Sequence, residues 1–365
     1  MRRTAWPLFV LPAALLFAAS CGPELDSIAS LETLRIIGLR KSAPYARPGE
    51  TVKLELLWED GASPTAASPI ERFIGFWCVN PPGDLFGQCL TQIPTIQPQF
   101  VFDGDELDIT MPTNAVRPAP DGSGAPPYGI AFVFYGVCAG HLTIDGQRPS
   151  GLGGALQGGG GALGGGAFGL GGAFDGGSAS LVPSCVDDDG NELGSKDFVV
   201  GYSAIYAYDT YRNANPILTG FRVNGQDGVL DCLNDECVGR PFTVPETSDC
   251  PSGAICVDTC EDDGAVTCPP IAIDPIIDPA SAEPDDIARE AYGEDLDEGL
   301  WVSYFTDRGG LAEEVRLVND ASTGWAEDPG TDFFAPKEPG PVRMWAVVRD
   351  SRGGVAWLRL PVYAR

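Results

Sequence analysis

From residue 34 onward, short apolar runs are broken every few positions by Gly, Pro, Asp or Asn. The clearest pattern follows the Pro48-Gly49 turn signal. There Val52, Leu54, Leu56 and Trp58 occupy alternate positions, with Lys53 and Glu55 between them. Period two turns one face inward and one outward, as in a half-buried antiparallel strand. Leu34 to Arg40, Phe73 to Val79, Phe100 to Phe102, Leu107 to Met111, Tyr128 to Cys138 and Phe198 to Tyr208 read as further strands. Many short strands with frequent turn signals and hardly any helical periodicity predict an all-β sandwich.

The strand set recurs. Pro216-Ile-Leu-Thr-Gly220-Phe-Arg222 parallels Leu34-Arg-Ile-Ile-Gly38-Leu-Arg40, and Ile271 to Asp278 matches the second strand. Leu300 to Phe305 stands where Phe73 to Cys78 stood, Val342 to Val348 matches the Tyr128 strand, and Val355 to Tyr363 matches the Phe198 strand. Arg349 to Gly354 reads as the hairpin turn joining the last two. This order resembles bacterial immunoglobulin-like or fibronectin-like modules, carried mainly by Leu34–Trp58. It implies two tandem sandwiches over residues 32–212 and 213–365. The Asp-x-Gly-x-Tyr-x-Cys corner of antibody domains is missing, so no intersheet disulfide beside Trp77 is implied.

Two insertions interrupt the scheme. Residues 151–178 hold 15 Gly in 28 positions, with Asp175 the one charge. So few side chains cannot offset backbone ordering at about 1–2 kcal/mol per residue, which predicts a flexible loop. Residues 232–268 hold six cysteines in 37 positions and few core-forming side chains, which predicts a segment stapled by disulfides.

The first 20 residues read as a signal peptide: Arg2 and Arg3 precede an uncharged, mostly apolar run from Ala5 to Ala19. The run ends Phe17-Ala-Ala-Ser-Cys21-Gly22, which resembles the lipobox of bacterial lipoproteins, with Ala18 where Leu is usual. The resemblance implies cleavage before Cys21, acylation of that cysteine, and residues 21–31 as a tether. Gly22 points to the outer membrane by analogy with enteric lipoproteins. An ordinary secretory site with Cys21 as a disulfide partner is the alternative. Setting Cys21 aside leaves an even ten cysteines: Cys78, Cys89, Cys138, Cys185, Cys232, Cys237, Cys250, Cys256, Cys260 and Cys268. Full pairing in an oxidising compartment fits that number, with Cys78–Cys89 and Cys138–Cys185 the expected bridges of the first module. Cys-x2-Cys zinc knuckles are absent. The whole resembles the secreted lipoproteins of unassigned function common in predatory soil bacteria.

A net charge of -28 argues against nucleic-acid binding. No Gly-x-Ser-x-Gly elbow, His-Glu-x-x-His, P-loop or dinucleotide fingerprint occurs. Ser203 lacks the second Gly of an elbow, and His141, the one histidine, reads as a solvated loop side chain. The acidic turns at Asp187, Asp189 and Glu192 and at Glu261–Gly264 offer calcium-type oxygen ligands, although the first fails the EF-hand spacing. Trp58, Trp77, Trp301 and Trp345 read as core, and Trp325 as exposed. Trp345 with Trp357, and Tyr206, Tyr208 and Tyr211, are candidates for a sugar-stacking platform. The sequence thus predicts a lipid-anchored envelope protein without a cofactor, meeting the membrane through Cys21 and envelope proteins or glycans through its body. A carbohydrate-binding or adhesion module and a carboxylate-based hydrolase are the alternatives.

Overall fold

The computed structural model describes residues 27, 29–61, 70–80, 99–102, 104–119, 121–122, 124–143, 183–233, 236–239, 251 and 254–365. The leader, Cys21, Cys89, Cys250 and the Gly-rich segment 151–178 lie outside these residues.

The first module contains β1 (Arg35–Lys41), β2 (Tyr45–Ala46), β3 (Thr51–Glu59), β4 (Glu71–Asn80) and β5 (Gln99–Phe102). It continues with β6 (Glu106–Thr110), β7 (Gly129–Cys138), β8 (His141–Thr143), β9 (Ser184–Val186) and β10 (Phe198–Ala207). A three-stranded sheet in the order β1-β3-β6 faces a five-stranded sheet in the order β2-β10-β7-β4-β5. The alternation in β3 does what its period requires: Val52, Leu54 and Leu56 are buried, while Lys53 and Glu55 stay partly exposed. They join Ile109 of the neighbouring β6 and, across the sandwich, Ile74, Ala131, Val133 and Ile205 in one core. Gly201 permits close packing here, since a Cβ would lie 2.6 Å from the Tyr135 ring.

The second module contains β11 (Leu218–Val223), β12 (Gln226–Leu233), β13 (Glu236–Gly239), β14 (Ile255–Val257) and β15 (Pro270–Ile277). After helix α1 (Asp286–Tyr292) come β16 (Leu300–Thr306), β17 (Gly310–Leu311), β18 (Val315–Asp320) and β19 (Gly324–Trp325). β20 (Thr331–Phe334), β21 (Gly340–Asp350) and β22 (Val355–Ala364) complete it. One layer runs β11-β15-β20 and the other β22-β21-β16-β18, with β12 passing from the first layer towards the second. The chain therefore folds as two tandem immunoglobulin-like sandwiches with the same strand order. A register shift falls at Gly38 in β1 and at Gly220 in β11, the equivalent glycines of the two copies.

The Cys-rich insertion departs from expectation. Within it β14 pairs parallel with β22, as β2 pairs parallel with β10 in the first module. Ile255 and Val257 join the second core. Part of the segment is thus held by apolar burial and strand pairing as well as by sulfur.

The modules share a third core. Leu31 and Ile37 pack against Trp345, Val347, Val355 and Trp357 on the outer face of β21 and β22. The end of the expected tether belongs to this core. Ala29 and Leu31 are buried, Leu31 N–H donates to Thr306 O at 2.8 Å, and Thr306 N–H donates to Ala29 O at 2.9 Å. The apolar Leu31 gains more from burial here than from remaining in a solvated leash.

Candidate functional site

The junction of the modules is tied together by several side-chain hydrogen bonds and ion pairs. Arg343 spans it, reaching Glu59 at 2.9 Å and Asp307 at 2.9 Å, while Trp345 Nε1–H donates to Glu59 Oε1 at 2.9 Å. Asn215 Nδ2 donates to Lys41 O at 2.7 Å, and its Oδ1 accepts from Val355 N–H at 3.0 Å. Arg349 donates to Ile37 O and to Ser303 Oγ.

Beside this seam lies an open cleft of about 930 Å³, with Arg40, Lys53, Glu55, Glu106, Ile217 and Trp357 in its wall. Its charges are already paired. Lys53 Nζ lies 3.0 Å from Glu55 and 2.9 Å from Glu106, and Arg40 Nε lies 2.6 Å from Glu55. Burial works against the Glu55 carboxylate, but hydrogen bonds from Lys53 and Arg40 hold its pKa below the usual range. The Arg40 guanidinium sits 4.3 Å from the Trp357 ring centroid. Trp345 and Trp357 are both buried between the modules, which overturns their reading as a sugar platform. Their strands carry apolar side chains on both faces, and the second face is covered by the other module rather than by solvent.

Lys41 and Ser203 form the arrangement closest to nucleophilic chemistry. Lys41 Nζ donates to Ser203 Oγ at 3.3 Å and to Ala204 O at 3.0 Å, and burial draws its ammonium down to about 8 against the attraction of Asp350. Ser203 lies mid-strand opposite Val133, and neither residue lines the cleft. The contact ties β1 to β10.

A buried carboxylate lies nearby. Glu298 is 1% exposed, its Oε1 accepts from Arg352 Nε at 2.6 Å, and its Oε2 meets no hydrogen-bond partner among the described residues. Burial raises its pKa to about 7; Arg352 opposes the shift, while Asp350 and Glu283 add to it. Above the ordinary carboxyl range near 4.5, the unfolded chain releases a proton that the folded chain keeps. Stability is therefore expected to fall as pH rises from about 4.5 to about 7, by up to about 3 kcal/mol. Urea midpoints measured across that window should show this slope, and Glu298→Gln should flatten it.

His141 is no solvated side chain. Its Nδ1 lies 2.8 Å from Glu71 Oε1 and its Nε2 lies 2.9 Å from Asp188 Oδ1. It thereby joins β4, β8 and the acidic turn. Glu71 Oε2 also accepts from Leu142 N–H at 2.6 Å. Lone-residue reasoning missed this because Glu71 and Asp188 are 70 and 47 positions away.

In the acidic turn, Asp187 Oδ1 accepts from the Asp189 and Asn191 amides at 2.9 and 2.8 Å. Its Oδ2 accepts from Asn191 Nδ2 at 2.9 Å, and these bonds hold the carboxyl below its usual pKa. Asp189 and Glu192 are exposed. Among the described residues, no group of three or more acidic, His or Cys side chains is placed to hold a metal.

Cys138–Cys185 is a disulfide at the base of the segment containing the Gly-rich run, and Cys260–Cys268 is another. Cys256 is also disulfide-bonded. Cys232 stands opposite Cys237 in the β12–β13 register. Of the expected Cys78–Cys89 bridge, only the Cys78 backbone is described, in β4. The disulfides place the protein in an oxidising setting, outside the cytosol or in the envelope. No helix among the described residues is long and apolar enough to cross a membrane.

Tyr206, Tyr208 and Tyr211 do come together, joined by Tyr45 and Tyr128 from elsewhere in the first module. Tyr206 and Tyr208 lie 6.4 Å apart with rings inclined by only 16°, Tyr45 packs 4.8 Å from Tyr208, and Tyr128 packs 6.5 Å from Tyr206. Trp325 is exposed, as its loop position predicts, whereas Trp58 and Trp301 are only half-buried.

No protein-family profile matches the chain, and no curated relative matches it. Among solved structures, E. coli alpha-2-macroglobulin in its native conformation overlaps 91% of this chain and 16% of its own, at 12% identity and a TM-score of 0.22. A Salmonella alpha-2-macroglobulin mutant gives 12% identity, 90% and 16% coverage and a TM-score of 0.22. The fibronectin(III)-like modules of Clostridium thermocellum CbhA give 7% identity, 90% and 94% coverage and a TM-score of 0.17. The chain thus spans about a sixth of the macroglobulins it overlaps. Overlaps this loose carry no argument about its activity, and the sandwich assignment rests on its own strand pairing.

Proposed function

We propose that the protein is a non-enzymatic lipoprotein of the bacterial envelope, anchored through acylated Cys21 and acting as a binding or structural body at the outer membrane. The observation that carries this reading is the Phe17–Gly22 segment, set a few residues ahead of a disulfide-bonded pair of sandwiches. Three acyl chains at roughly 0.8 kcal/mol per buried methylene would hold such a body durably on a bilayer. Supporting the non-enzymatic side, Lys53, Glu55, Glu106 and Arg40 in the cleft wall are engaged in ion pairs with one another. Radioactive palmitate is expected to label the wild-type protein in cells and to leave Cys21→Ala unlabelled and released from membranes. Labelling that persists in the variant refutes the anchor.

The tyrosine cluster favours a second reading, a carbohydrate-binding or adhesion module. Aromatic rings at the surface can stack on sugar faces; Tyr206 and Tyr128 remain partly exposed, whereas Tyr208 and Tyr45 of the same cluster are buried and cannot form the platform. A glycan array with and without chelator tests this second reading, which requires bound sugars.

A further inference from the structure

The outer face of the second module's β22-β21-β16-β18 layer is covered by the first module over β21 and β22. Farther along, over β16 and β18, it carries apolar side chains open to solvent. Val315 is 45% exposed and Leu317 50%, and period two puts both on this face. Leu317 stands opposite half-buried Trp301, and Val315 opposite Ser303. Trp325, 43% exposed, pairs with Asn319, the next residue of β18 on the same face. The margin of the sheet is closed, because Ala326 N–H donates to Val318 O at 2.9 Å and Arg316 Nη2 donates to Asp328 O at 2.8 Å. What lies open is the face.

The chain arrives at this face from the side of Cys21. Ser27 Oγ donates to Glu314 Oε1, directly before Val315. Ser30 then bridges to Thr306 at the end of β16, and Leu31 packs on Trp345 and Val347 of the same face. Cys21 lies six positions upstream of Ser27. At about 3.3–3.6 Å per residue, a fully extended stretch of that length spans about 20 Å at most. A lipid on Cys21 therefore keeps Glu314, at the rim of the patch, within that distance of the bilayer surface.

We propose that this face is the membrane-contact surface of the anchored protein, with Val315, Leu317 and Trp325 seated among the headgroups of a zwitterionic bilayer. The inference rests on the anchor at Cys21. Indole rings settle at bilayer interfaces because their apolar body and polar N–H suit its two sides. Glu313, Glu327 and Asp328 are exposed beside the patch, and the neighbouring Arg316 is held by Asp328 at 3.2 Å. Carboxylates there can meet the ammonium ends of zwitterionic headgroups, whereas an anionic surface repels them. The same charges disfavour a second copy of this chain as the occupant. Retention comes from the acyl chains; the patch fixes which way the two sandwiches stand on the membrane.

The test uses the protein purified from membranes and reconstituted into phosphatidylcholine vesicles, with or without phosphatidylcholine brominated near the top of its acyl chains. Mass spectrometry of the amino-terminal peptide first reports the acyl groups on Cys21. Bromine is expected to quench the tryptophan emission of the wild type. Trp325→Phe should remove at least about half of that quenching, since Trp301 is the other indole of the patch. Leu317→Ser should lower it as well, whereas Ile217→Ser, at an exposed apolar position before β11 in the other layer, should leave it unchanged. Acylated protein that shows no quenching, or quenching that Trp325→Phe and Leu317→Ser leave intact, overturns the contact surface while the anchor stands. An equal loss in Ile217→Ser does the same. Absence of acyl groups refutes the anchor and this inference with it. A dimer on the vesicles that Leu317→Ser abolishes would make a second copy the occupant and overturns the proposal too.

Discussion

Replacing Trp345 by Ala is expected to cost about 3–5 kcal/mol and to split one unfolding transition into two. The indole lies between the sandwiches, in contact with the cluster of Leu31, Ile37, Val347, Val355 and Trp357. Its Nε1–H donates to Glu59 of the first module, so truncation opens a void and also strands a part-buried acceptor. Each sandwich keeps its own core, built from separate residues. Loss of the shared cluster should therefore uncouple them rather than unfold both. Urea denaturation followed by tryptophan fluorescence and by far-UV circular dichroism reads this directly. Coincident curves with an unshifted midpoint would show that the seam contributes nothing.

Removing the Cys138–Cys185 bridge should cost about 4 kcal/mol, the chain-entropy value for a loop of its size. The two cysteines are 47 positions apart, and both are buried beside Phe73 and Leu142. Cys138 ends β7 and Cys185 lies in the short β9, whose described pairing is with the equally short β8. With so few ladder hydrogen bonds, β8 and β9 depend on the cross-link and on the His141 bridge to stay docked. The double substitution Cys138→Ala with Cys185→Ala avoids a free thiol. Its thermal midpoint should drop by several degrees, and exchange at His141–Thr143 should rise before that of β7.

Much of the architecture can be read from local pattern. The alternation in β3 placed Val52, Leu54 and Leu56 inward without any tertiary information, because a half-buried strand repeats every two residues. The Gly38 and Gly220 segments announced the duplication, and the same local geometry follows in both. Other features depend on contacts that no local window contains. Trp345 and Trp357 sit on strands apolar on both faces, which signals two-sided burial but not the identity of the cover. His141 gained its role from Glu71 and Asp188, which are far away in the chain. β18 lacks an apolar alternation with a buried face, since Val315 and Leu317 point outward, so it escaped a search for core-facing strands. Helix α1 has seven residues, too few to develop a period, and the sequence reading passed over it; Asp285 accepts from Ala288 N–H at its start, and Gly293 closes it at φ 73°.

The stitching of Ala29–Leu31 to Thr306 has a mechanical consequence. A pull transmitted from upstream of Ala29 meets β16 of the second sandwich before it meets β1 of the first. Load is thus shared sideways across both bodies at once, and the pair resists traction as a single block instead of unravelling from its leading end.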